Sequence, residues 1–95
     1  MTEVRYLLFT AETDAHLTRA SADEIRQLLA NKHITADNPQ AVGRGGAVRR
    51  LLIGQSDGGR YLTVVIEATL DPTTWLPITA WDSTAAERKL LEHIG

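Results

Sequence analysis

Hydrophobic positions in this chain fall into short runs separated by polar breaks, and the spacing within each run predicts its element. Val4 to Phe9 is a brief apolar run that opens as a strand. Thr10 stands where it caps a first helix reaching about Thr18. Ser21-Ala22-Asp23-Glu24 has the form of a capping box, a hydroxyl at the N-cap and a carboxylate three residues on. Behind it Ile25, Leu28 and Leu29 repeat at helical spacing, and Asn31 is a fitting end. From His33 to Gly46 the texture turns polar, with Asn38-Pro39 and Gly43, Gly45 and Gly46, which predicts a mobile connection.

Three strands are expected next. Val48 to Gly54 is the first, and Gln55-Ser56-Asp57-Gly58-Gly59 is a turn whose glycines tolerate positive φ. Tyr61 to Ala68 is the second, with Leu62, Val64 and Ile66 on one face and Tyr61, Thr63, Val65 and Glu67 on the other. Asp71-Pro72-Thr73-Thr74 turns the chain into a third strand, Trp75 to Trp81, where Pro77 signals an edge or a bulge. Trp75 and Trp81, six apart, are expected on the same side. Thr84-Ala85-Ala86-Glu87 is a second capping box, and Ala86, Leu90, Leu91 and Ile94 predict the buried stripe of a last helix. The expected fold is α+β: two N-terminal helices, a three- to four-stranded antiparallel sheet, and a C-terminal helix packed on it.

Length and composition narrow this further. Ninety-five residues leave room for one core, so residues 1–95 are read as a single domain. A hydrophobic share of 43% is that of a folded protein rather than a disordered one. The absence of cysteine removes disulfides, thiolate metal sites and cysteine nucleophiles together. Apolar runs such as Val64-Val65-Ile66 are far short of a membrane span, and Met1-Thr2-Glu3-Val4-Arg5 has no signal-peptide form, so a cytoplasmic location is expected. Net charge is −2, but residues 32–60 carry +3 between ends of −2 and −3. That basic middle reads either as a phosphate-binding patch or as scattered solvated charge.

Several segments together resemble one family. Thr79-Ala80 followed by Thr84, Glu87 and Arg88 forms a "T-A-x-x-x-T-x-x-E-R" segment. Ile53-Gly54-Gln55-Ser56 with Gly59-Arg60 and Val64-Val65 forms a hairpin of matching pattern, and Ser21, Asp23 and Glu24 match a "V-S-x-E-E" helix start. Ile78-Thr79-Ala80 stands where the family reads "I-S-A". Across residues 10–92 the chain resembles the BrnT-like toxins of bacterial toxin–antitoxin pairs, which have a RelE-type ribonuclease fold. The resemblance implies an endoribonuclease toxin that cleaves mRNA without metal or other cofactor, and an antitoxin protein as partner. RNA and a second copy of the chain are further possible partners. Trp81 stands where the family carries an arginine, and Leu17, Thr18 and Arg19 replace a basic–histidine pair and a glycine. With the acidic net charge, these departures support an alternative: a non-catalytic domain of the same fold that binds protein or nucleic acid.

RNA cleavage needs a base for the 2′-hydroxyl proton and a cation for the charged transition state. Arg60, Glu87 and Arg88 are the candidate catalytic residues, with Glu87 the base and the arginines the phosphate contacts. Glu87 is equally accounted for as the capping-box carboxylate, and Arg88 as a solvated helix residue. Arg49, Arg50 and Trp81 are candidate nucleic-acid contacts. Arg49 and Arg50 are adjacent on a strand, so at most one of them joins a given site. Trp81 is read either as core or interface, or as a stacking platform for a base. His16, His33 and His93 have no i,i+4 pairing, so no metal site is expected. Gly43-Arg44-Gly45-Gly46 lacks the lysine of a phosphate-binding loop and reads as a linker.

Overall fold

The computed structural model describes residues 4–10, 20–42 and 48–93. Its elements are β1 (Tyr6–Leu7), α1 (Ala22–Ala30), β2 (His33–Val42), β3 (Val48–Gln55), β4 (Tyr61–Ala68), β5 (Thr74–Asp82) and α2 (Ala85–Glu92). The strands form one sheet in the order β1-β5-β4-β3-β2. β2 to β5 run as an antiparallel meander, and β1 returns from the far end of the sequence to lie parallel to β5.

This corrects the expected architecture in two places. The sheet has five strands and is mixed, not a three- to four-stranded antiparallel one. The polar stretch from His33 is not a connection: its first ten residues are β2, which among the described residues is an edge strand paired with β3. An edge strand needs one apolar face at most, and Ile34, opposite Ile53, supplies it. The Gly43–Gly46 linker lies outside the described residues, as does nearly all of the first helix expected over residues 10–18. Among the described residues one helix, α1, precedes the meander.

The alternation of each strand decides which helix covers which face. Leu52, Leu62, Val64 and Ile66 point to one side and bury Ile25 and Leu28 of α1 completely. Ile34, Ile53, Leu51 and Tyr61 point to the other and receive Leu91 of α2. The helices therefore sit on opposite faces of the sheet. The expected stripe of α2 is corrected to that one residue: Ala86 is exposed, Leu90 is 48% exposed, and Ile94 lies outside the described residues. An eight-residue helix standing on a sheet end lowers a single side chain into the core.

Both capping boxes form. Ser21 Oγ accepts the Glu24 amide at 3.1 Å while Glu24 Oε1 accepts the Ser21 amide at 3.2 Å. Thr84 Oγ1 and Glu87 Oε1 repeat the exchange at 3.2 and 2.8 Å. The end of α1 is stitched to the β3–β4 turn. Asn31 donates to the Gln55 carbonyl and to Asp57, both at 2.9 Å, and Gln27 accepts the Asp57 amide at 3.0 Å. At this seam Gly54 leaves little room: a Cβ there would lie 3.1 Å from His33 Cβ and 3.2 Å from Leu28 Cβ, so both would have to give way by a few tenths of an ångström. Gly59 closes the turn at φ 86°, a conformation that favours glycine.

Pro77 sits at a bulge. Val65 faces Thr79 and Ile66 faces Pro77, so Ile78 is an extra residue in β5. The bulge inverts the phase of the strand. Trp75 joins the core beneath α1, whereas Trp81, opposite Thr63, emerges on the α2 side. The tryptophans are thus on opposite faces, not the same one. β5 is flanked by β1 at Thr74 and Trp75, so Pro77 marks the bulge and not an edge strand. No helix among the described residues is long and apolar enough to cross a membrane.

Candidate functional site

The sequence candidates divide between the two faces of the sheet. Arg60 leaves the turn before β4 on the α1 side. Its Nε donates to Asp82 Oδ1 at 2.7 Å, and a terminal nitrogen donates to both carboxylate oxygens of Glu24 at 3.2 and 3.3 Å. The guanidinium thus ties the first turn of α1 to the last residue of β5. Hydrogen bonding to Asp82 raises the Arg60 pKa further, with burial opposing and Glu24 adding. The Glu24 carboxyl is held below its ordinary value, first by the Ser21 amide, with burial opposing and Arg60 assisting.

Glu87, Arg88 and Trp81 gather on the α2 side. Glu87 Oε1 accepts the Thr84 amide at 2.8 Å and the Trp81 indole Nε1–H at 3.1 Å. Burial is the largest influence on the Glu87 carboxyl and pushes its pKa up. The Thr84 amide, the Trp81 indole and the Thr63 hydroxyl together outweigh it, and the net shift is downward. A general base for a 2′-hydroxyl works best with its pKa raised toward neutrality. Glu87 is displaced the other way, and its Oε1 is shared between its own helix cap and the Trp81 indole. Arg88 is exposed, its guanidinium 5.6 Å from the centre of the Tyr61 ring.

The nucleic-acid candidates are similarly engaged. Arg49 lies opposite Glu67 across the β3–β4 ladder and pairs with it at 3.0 Å on the α2 side. Arg50, one residue on, turns to the α1 side, as adjacent strand positions must. Trp81 is half-buried and bonded to Glu87, which makes it an anchor joining β5 to α2. His33 Nδ1 lies 2.9 Å from the Asn31 carbonyl, and among the described residues no group of three or more potential ligands could hold a metal. His16 lies outside the described residues.

Glu24, Glu67, Asp82 and Thr63, the partners that occupy these candidates, were not among the sequence candidates. Glu67 was within reach of the sequence, because the turn between Gln55 and Tyr61 fixes the register that sets it against Arg49. The Glu24–Arg60–Asp82 bridge joins three elements distant in sequence and leaves no local signal. Shallow clefts open among the described residues. One, of about 550 Å³, is lined by Asn31, Lys32, Gln55, Ser56, Asp57 and Gly59. Another, of about 380 Å³, lies between β1 and α1. No protein-family model, no curated protein and no solved structure matches this chain.

Proposed function

We propose that this domain binds a partner polypeptide and does not cleave RNA. The observation that carries the reading is the occupation of two of its three would-be catalytic groups. The candidate base, Glu87, is consumed by the α2 cap and the Trp81 indole and is shifted toward acidity. The candidate cation, Arg60, is held by Glu24 and Asp82 on the opposite face. A polypeptide is favoured over nucleic acid because two of the arginines are held by carboxylates, Arg49 by Glu67 and Arg60 by both Glu24 and Asp82. Counter-ion release, the main source of nucleic-acid affinity, needs cations not already compensated within the protein.

One observation favours the ribonuclease-toxin reading as a second choice: Arg88 is exposed beside the Tyr61 ring, a cation and an aromatic group together at the surface. Purified protein incubated with several RNAs, beside Arg60→Ala and Arg88→Ala variants, tests both readings. No cleavage by folded wild type is expected. Cleavage by wild type that disappears in Arg88→Ala would establish the second reading instead.

A further inference from the structure

We propose that the outer edge of β1, with the cleft between it and α1, is a docking strip for an extended, acidic and apolar segment of a partner polypeptide. The inference rests on the polypeptide-binding reading and gives it a place and a chemistry. In a parallel strand the amide and carbonyl of one residue point to the same side, and successive residues alternate. The Tyr6 and Leu8 amides donate to the Thr73 and Trp75 carbonyls at 3.1 and 2.9 Å. The Leu7 amide and carbonyl therefore point away from β5, and β1 ends the strand order among the described residues. An outward-facing amide and carbonyl are what an added strand pairs with.

The side chains around this edge specify what kind of strand. Arg5, Tyr6 and Leu7 form one wall of the cleft, and Arg26, Leu29 and Ala30 of α1 the other. Leu7 and Leu29 pack against the main core and give the cleft an apolar floor. Arg26 rims it with a guanidinium. Arg26 is held over the Phe9 ring at 4.6 Å and meets Asp23 at 3.5 Å. That ion pair is solvent-exposed, its side chains 57% and 86% accessible, so an incoming carboxylate displaces it at little cost. Tyr6, 62% exposed, and Leu8, 48% exposed, project on the other side of the edge and offer apolar contact there. An extended segment alternates its side chains with period two, so a segment alternating acidic and apolar residues turns its acids to Arg26 on the α1 side and its apolar residues to Tyr6 and Leu8 on the other. Because β1 pairs over only two residues, the backbone supplies few bonds, and specificity falls to the charged rim.

A fluorescein-labelled peptide alternating aspartate and leucine, and a matched peptide alternating lysine and leucine, are the probes. Fluorescence polarisation with the full chain is expected to show the acidic peptide binding at least about tenfold more tightly, a difference of about 1.4 kcal/mol. Arg26→Glu is expected to remove that preference. Hydrogen exchange is expected to slow at the Leu7 amide when the acidic peptide is added, a readout that needs no variant. Equal binding of the two peptides, or binding that leaves Leu7 exchange unchanged and protects β2 instead, would overturn the strip while leaving the polypeptide-binding reading intact. RNA cleavage by wild type would overturn that reading itself.

Discussion

Glu87 shows how one side chain serves two elements. Its carboxylate caps α2 and holds the Trp81 indole, so Glu87→Ala removes both contacts and is expected to cost about 1–3 kcal/mol of stability, read from urea denaturation. Trp81→Phe removes only the indole donor and should cost about 1 kcal/mol. The same carboxylate carries a pH signature. Its folded pKa lies below the ordinary value of 4.5, so the stabilisation is complete above that value and is lost as pH falls through the folded pKa. Glu24 is shifted in the same direction and adds to the acid-side loss. Glu87→Gln keeps an acceptor oxygen but cannot ionise. Urea midpoints followed from pH 7 to pH 3 should fall less steeply for it than for wild type, and parallel curves would show that Glu87 does not contribute. Arg60→Ala breaks a half-exposed bridge and is expected to cost about 1 kcal/mol.

Among the elements, α1 and its seam with β3 leave the least slack. Gly54→Ala places a methyl group 3.1–3.3 Å from His33, Leu28 and the Lys32 carbonyl, and should destabilise by about 1–3 kcal/mol. Leu28→Ala opens the fully buried face of α1 and should cost about 2–5 kcal/mol. Both are checked by thermal or urea unfolding. Those elements whose reasons are local were legible in the sequence: both capping boxes, the Gly59 turn, and the alternation of β4. β2 was not legible, because an edge strand paired on one side tolerates polar residues and mimics a loop. The side taken by Trp81 was not legible either. It depends on the extra Ile78, and counting residues cannot reveal a bulge that only the partner strand exposes. Of the candidate site, the sequence placed Glu87 correctly in its capping role. It could not show that Arg60 and Arg88 answer to different faces, since that follows from the register of β4.

At the scale of the whole molecule, the sheet separates two cores, unequal among the described residues. The one beneath α1 gathers Ile25, Leu28, Leu52, Leu62, Val64, Ile66 and Trp75, whereas the one beneath α2 has Ile34, Ile53 and Leu91. Amide exchange should therefore be slowest in β4, which contributes to the larger core and is paired on both sides. It should be fastest at β1 and in α2; comparable rates in α2 and β4 would contradict this division. β1 has a further consequence, for the order of events as the chain is made. Tyr6 and Leu7 are synthesised before the whole meander, yet their partners, Thr74 and Trp75, lie in its last strand. Closing so long a loop around a two-residue pairing brings little enthalpy for the entropy lost, so the meander forms before β1 is seated. On a ribosome β1 must wait, unpaired, until β5 has emerged.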